Sequence, residues 1–353
     1  MDKPKGKRLI DELEENDSFL SKYHLYRRVD KQKAWTDFCH RVNIRVPNKT
    51  SWWTIYKYAA ILLLPVSILA IWLLLLSKPS ISIESLSEVG PGNSQAVLIL
   101  SNGNQIDLDS TAMDSLPVGG ATVATIKDNH ITYGETSQAA LEEYNTLLTK
   151  RGGEYRIVLE DGTKVHLNAD SQLKYPVGFS KDERKVYLEG EAYFEIAHDA
   201  KRPFYVVTDK MTVRQYGTAF NINAYPDEDA AVVLVRGNVG VITGGSERMI
   251  SPGQLAELKN GSNQLVVKNV DVEAYTAWNE GRFFFDNQSL KDITDILSRW
   301  YNIDIRFKTD GIQQLHFTGS LDRYDTIEPI IQAISSTVNV KVEVKGHVLY
   351  ISR

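Results

Sequence analysis

The sequence predicts a single-pass membrane protein with a short helical segment before the membrane, a mostly-β domain beyond it and a small α+β domain at the C-terminus. Three observations carry that prediction. An apolar run, YAAILLLPVSILAIWLLLLS from Tyr58 to Ser77, holds no charge; period-two patterning broken by turn dipeptides begins at Gln95; and strand–helix alternation takes over at Arg282. The corresponding boundaries are a segment 1–54, an apolar helix 55–78, a spacer 79–94, a β-rich domain 95–270 and an α+β domain 271–353.

At 1.5 Å per residue, about twenty residues give roughly 30 Å of helix, the thickness of a bilayer's hydrocarbon core. Its Ile, Leu and Val side chains favour insertion by roughly 4 to 7 kcal/mol, which outweighs Pro65 and Ser67. A buried core helix is the alternative, but core helices of this length usually keep a polar face. The flanks set the orientation. Met1 to Lys57 holds 13 Lys and Arg against 8 Asp and Glu, or +5; the whole chain's −5 therefore leaves −10 beyond it. The positive-inside rule places the N-terminus in the cytoplasm. The run lies too deep for an ordinary signal peptide and lacks a small-x-small cleavage pattern, so it reads as an uncleaved anchor.

Before the anchor, Trp35, Phe38, Cys39 and Val42 form an i, i+3, i+4, i+7 stripe, and Leu9, Ile10, Leu13, Phe19, Leu20, Tyr23, Tyr26 and Val29 mark further amphipathic stretches. About fifty residues cannot bury all of these alone, so the segment is expected to order on a partner. A basic arm lying on anionic lipid is the alternative. Interspersed charges of both signs argue against direct nucleic-acid binding. Cys39 is the chain's one cysteine, so the outer part is built without disulfides. The seven His residues show no metal-ligand spacing, and no metal or cofactor is expected.

Beyond the Ser/Pro/Gly-rich spacer, QAVLILSNGNQIDLD and YRIVLEDGTKVHLNA read as hairpins turning at Asn102-Gly103 and Asp161-Gly162. The two align, Leu100 with Leu159 and Ile106 with Val165, as a repeated unit. A third unit, AVVLVRGNVGVIT, turns at Arg236-Gly237-Asn238. Mixed signals run from Ser110 to Lys150, where SQAALEEYNTLL fits a helix or an irregular connection. At the C-terminus the order is β-α-β-β-α-β-β, with Leu290, Ile293, Leu297 and Trp300 on one helical face, Ile327, Ile330, Ile331 and Ile334 on another, and Ser289 and Asp292 as a capping-box-like start. Glu189, Glu191 and Glu195 read as a solvated strand face, since no nucleophile or His accompanies them.

The string YNTLLTKRGGEYRIVLEDGTKVHLNADSQLKYP, followed by GEAYFEI, RPFYVVT, YGTAFNINAY, VLVRGNVGV and SPGQLAEL, resembles the periplasmic domain of the FecR family of transmembrane anti-sigma factors. Residues 282–353 are similar to the C-terminal domain of its Bacteroidetes members, itself patterned like the secretin/TonB short N-terminal domain. The resemblance implies an inner-membrane regulator with a mostly-β periplasmic domain, not an enzyme. Its cytoplasmic segment would bind an extracytoplasmic-function sigma factor through the Trp35, Phe38, Cys39 and Val42 stripe. Its C-terminal domain would receive the signal of a TonB-dependent outer-membrane transporter, and periplasmic and intramembrane proteases would act on it, controlling genes for glycan or iron-chelate uptake. A membrane-anchored scaffold or glycan-binding module is the competing reading. Some relatives self-cleave at a Gly-Thr in this context, which nominates Gly217 and Thr218; an ordinary strand glycine beside a β-forming threonine is the alternative. Glu160, His166 and the Gln215-Tyr216 pair depart from the family pattern.

Overall fold

The computed structural model describes residues 30–42, 89–109, 115–119, 122–127, 130–133, 143–215, 217–262 and 264–353. The apolar run, the amphipathic stretches up to Val29 and Tyr216 lie outside the described residues. Among the described residues no helix is long and apolar enough to cross a membrane. The chain separates into two compact units, 1–78 and 79–353.

In the first unit, helix α1 (Lys31–Arg41) starts at Asp30, whose carboxylate accepts from the backbone N–H groups of Gln32 and Lys33 at 3.0 and 3.2 Å. This satisfies two of the four donors that every helix start leaves without a partner.

The second unit begins as two sheets around one core. Strand Arg184–Glu195 belongs to both. Its first half pairs with Ser171–Pro176 and, in parallel, with Phe204–Val207; its second half pairs with Lys164–Leu167 and Ala219–Ala224. The crossing falls at Gly190, where φ is +93° and a Cβ would come within 2.7 Å of the Ser171 backbone, so only glycine fits. Val186, Leu188, Ala192 and Phe194 point inward from this strand and join Leu98, Leu147, Tyr155, Phe204 and Phe220 in the core.

The aligned hairpins are alike in detail. In each, Leu100 or Leu159 donates to the carbonyl four residues on, and Gly103 or Gly162 donates back to that leucine. Gly103 and Gly162 take φ of +83° and +84°. The third unit is different: Ala230–Arg236 pairs with Ala219–Ala224 and Gln254–Leu258, while Val239–Thr243 pairs with Thr212–Gln215 and Ser246–Ile250. The turn at Arg236-Gly237-Asn238 thus carries the chain from one sheet to the other and closes no hairpin. Two further readings change. Tyr144–Thr149, from the ambiguous stretch, is a strand with Asn145, Leu147 and Thr149 buried. The last residues of the predicted spacer 79–94 are structured, Asn93–Ser94 pairing in parallel with Gly153–Glu154.

Helix α2 (Glu273–Thr276) and a 3-10 turn (Ala277–Glu280) lead into strand Arg282–Ser289, helix α3 (Leu290–Tyr301), strands Asp304–Phe307 and His316–Asp322, helix α4 (Ile327–Val338), and strands Lys341–Lys345 and Val348–Ser352. This is the predicted order. Ser289 caps α3 by accepting from the Asp292 N–H at 3.2 Å. The two predicted helical faces are buried, as are Phe283, Phe285 and Trp300. The second core also takes in Ala169 from the β region, so the two parts of this unit share packing.

Candidate functional site: a polar seam

The C-terminal region is fastened to the β region by a buried network of charged and amide groups. Its centre is Arg323, which follows strand His316–Asp322 and is fully buried. The Arg323 guanidinium lies 3.7 Å from the centre of the Trp300 ring, a cation–π contact. Its Nη2 donates to Asn168 Oδ1 at 2.5 Å and sits 3.3 Å from Glu154 Oε2. Trp300 Nε1 donates to the Arg323 carbonyl at 2.7 Å, and Tyr324 donates through its hydroxyl to Glu154 Oε1 at 2.8 Å.

From Asn168 the network continues across the strands. Glu191 accepts from the side-chain amides of Asn168 and Asn221 at 2.6 and 2.9 Å, and Asn221 Oδ1 accepts from Trp278 Nε1 at 3.2 Å. Trp278 stands on the 3-10 turn joining the two regions and packs against the His166 ring. On the same turn, Asn279 accepts from Arg156 Nη2 through its carbonyl at 3.1 Å and from His166 Nδ1 through Oδ1 at 2.7 Å. A second cluster grips the end of α3. Arg151 donates to the carbonyls of Ser298 and Ile303 at 2.8 and 2.7 Å, and Arg299 pairs with Glu228 while its guanidinium lies 4.0 Å from the Tyr225 ring centre.

Burial alone would raise Glu154, but the adjoining His166 and Arg323 carry it below the ordinary carboxylate range. Burial holds His166 below its usual value, with Arg156 acting in the same direction, against the pull of Glu154 and Asn279. Burial raises Glu191 despite its two amide donors. Glu191 therefore belongs to this network, and the predicted solvated face is corrected at that position.

The shifts give a pH signature. Below about 6.5 the unfolded chain protonates this histidine before the folded one does, so His166 costs stability as pH falls from neutrality. Glu154 keeps its full contribution above the ordinary carboxylate value and loses it progressively as the pH falls from there through its lowered folded value. Glu191 has the opposite sign, because a carboxyl raised in the fold is favoured as pH falls. The urea midpoint of wild type is therefore expected to fall relative to that of His166→Gln between pH 7.5 and 5.5. Parallel profiles would show that His166 does not titrate differently in the fold.

The residues singled out from sequence lie elsewhere. Trp35, Phe38 and Val42 are 61%, 50% and 47% exposed on α1, and the two aromatic rings stack 5.7 Å apart. Cys39 is buried, so it does not share the open face of the other three. Gly217 is exposed between strands Thr212–Gln215 and Ala219–Ala224, while Thr218 is buried and donates to Gln215 Oε1 at 3.1 Å. A Cβ on Gly217 would come within 2.8 Å of His198 Nδ1, so the imidazole packs against its α-carbon. Glu154, Asn168, Asn221, Glu228, Trp278, Arg299 and Arg323 escaped the sequence reading; a Trp-Asn-Glu-Gly stretch between two domain patterns was the one local sign. A half-open cavity of about 240 Å³ adjoins the seam, lined by His130, Arg156, Lys164, Tyr193, Glu195 and Asn279 among others.

The fold defines a class, a two-sheet β module fastened to a small α+β module. Residues 145–240 match the family described as FecR protein, and residues 282–351 match FecR, C-terminal. FecR-family models thus match this chain twice, once in each module. The chain is similar to two crystal structures, at 1.65 and 2.50 Å resolution, each of a candidate anti-sigma factor from Parabacteroides distasonis ATCC 8503. The first is 29% identical with a TM-score of 0.55, over 58% of this chain and 97% of that one. The second is 28% identical with a TM-score of 0.56, over 60% and 99%. No curated protein matches the chain.

Proposed function

We propose that this chain is an anti-sigma regulator of the inner membrane, crossing it once between residues 55 and 78 with its N-terminus in the cytoplasm. The two FecR-family matches and the similarity to the Parabacteroides structures support an anti-sigma role. The observation that carries the reading to this chain is the exposed Trp35, Phe38 and Val42 on α1, an apolar face of the kind that docks into a partner's groove. The partner is an extracytoplasmic-function sigma factor. The C-terminal region, 271–353, receives the signal of a TonB-dependent transporter, and periplasmic and intramembrane proteases relay it to genes for glycan or iron-chelate uptake. Reporter fusions before Trp52 and after Ser80 read the orientation, and cytoplasmic activity after Ser80 would refute it.

Titration of the full-length chain with its sigma factor tests the main claim. Trp35→Ala with Phe38→Ala is expected to weaken binding by about 2–4 kcal/mol, the range for buried aromatic anchors. Unchanged affinity would favour the lipid-surface reading.

Gly217 and Thr218 form the self-cleavage site in this proposal. The Thr218 hydroxyl attacks the Gly217 carbonyl carbon, the peptide nitrogen leaves as an amine, and water then hydrolyses the resulting ester. Gln215 Oε1, already accepting from this hydroxyl, orients it. Intact mass spectrometry of purified protein is expected to show two pieces meeting after Gly217, none in Thr218→Val and some in Thr218→Ser. One uncut species after long incubation at neutral pH would leave both as structural residues.

A further inference from the structure

The stretch through which the apolar run joins the β region passes under the C-terminal region. Val89 packs against the second core. At Gly92 a Cβ would lie 2.7 Å from Cε3 and Cζ3 of Trp300 and 2.8 Å from the Gly152 carbonyl, so the indole covers the backbone there. Asn93 donates to the Gly152 carbonyl at 2.9 Å, Gln95 N donates to the Glu154 carbonyl at 3.1 Å, and the Gln95 side-chain amide reaches Gly152 O at 2.8 Å. The ladder itself is only Asn93–Ser94 against Gly153–Glu154. Two residues of pairing do not hold in water without cover.

Gly152 also faces the other way. Its N–H donates to the Arg299 carbonyl at 2.7 Å, at the end of α3, and the neighbouring Arg151 grips Ser298 and Ile303. One turn of the β region thus holds the connecting strand on one side and the C-terminal region on the other, while Trp300 spans both. Glu154 adds a second bridge, since its backbone carbonyl accepts from Gln95 while its side chain accepts from Tyr324 and forms an ion pair with Arg323.

We propose that residues 89–95 form a latch that stays closed only while the C-terminal region is docked, so that displacing that region frees the strand that follows the apolar run in sequence. Its service as the output of a signal rests on the reading that the C-terminal region receives one; the latch itself is testable without any partner. Coupling of this kind is reciprocal, which supplies two independent tests.

Both use hydrogen exchange on the full-length chain in detergent micelles. Arg299→Ala with Tyr324→Phe loosens docking at two points that do not touch the strand. The Asn93 and Gln95 amides are expected to exchange about tenfold faster or more, with Ala192 and Ile222 in the β core unchanged. Conversely, Gly92→Ala, which pushes the indole away, is expected to speed the Gly152 amide by a similar factor. If the double variant speeds Gly152 but leaves Asn93 and Gln95 slow, the latch is overturned. If it moves none of these amides, Gly92→Ala decides: a Gly152 amide as slow as in wild type overturns the proposal, and a faster one upholds it. Failure of transporter binding would leave these exchange results intact and would count against the signal-receiving reading alone.

Discussion

Arg323→Met is expected to destabilise the 79–353 unit by about 3–5 kcal/mol, the range for removing one partner of a buried charge pair. The methionine side chain fills much of the arginine's volume beside the Trp300 and Trp278 rings, over which the guanidinium lies, so little of the loss comes from an empty cavity. What remains is electrostatic. Glu154 would stay buried with only Tyr324 and the neutral His166 beside it, and Asn168 Oδ1 would keep only the Ala169 N–H of its two donors. Arg323→Met with Glu154→Gln removes both charges and is expected to recover at least half of the loss, which a double-mutant cycle from urea unfolding measures. A single-variant cost below about 1 kcal/mol, in the range of exposed pairs, would mean that the seam opens to water and that Arg323 does not hold it.

The second large effect is expected at Trp300. Truncation of a fully buried tryptophan costs about 3–5 kcal/mol, and Trp300→Ala should reach the upper part of that range because three contacts go together. The Arg323 guanidinium loses the ring on which it lies, Gly92 loses its cover, and the Arg323 carbonyl loses its donor. Trp300→Phe separates these effects: it keeps much of the apolar area but removes the donor, for an expected cost of about 1–3 kcal/mol from the unsatisfied carbonyl and the lost ring area. Thermal unfolding of both variants checks the order. A Phe variant as unstable as the Ala variant would place the energy in the hydrogen bond; an Ala variant near wild type would show that the second core closes without the indole.

These expectations change how separable the C-terminal region is. Its sequence reads as a self-sufficient module, with two amphipathic helices and strands enough to cover them, and that pattern is correct within residues 282–352. Removing it would nevertheless expose Ala169, uncover Gly92 and leave Glu154 without Arg323 and Tyr324. The candidate site was least legible for the same reason. His166 drew notice only as a departure from the family pattern, Trp300 only as a core residue, and Arg323 not at all. Glu191, alternating with Ala192 and Phe194 along its strand, has the local pattern of an exposed position. Its environment comes from Asn168 and Asn221 on the neighbouring strands and from Trp278 behind them.

The sequence by itself determined whatever depends on a few consecutive residues. Alternation placed the strands, helical spacing placed the buried faces of α3 and α4, Ser289 marked the start of α3, and the Asn-Gly and Asp-Gly dipeptides set two hairpins with the same hydrogen bonds. Backbone geometry fixes such features locally, through periods of two and 3.6 residues and through turns that need positive φ. The tertiary structure alone decided that strand Arg184–Glu195 serves two sheets, that the turn at Arg236-Gly237-Asn238 changes sheets, and that Arg323 meets Asn168 across 155 positions of chain. No local period records such meetings. A buried polar group needs a partner, but its identity is set by how distant strands and helices come to lie, and the stretch 89–95 is held between modules whose sequences give no sign of each other.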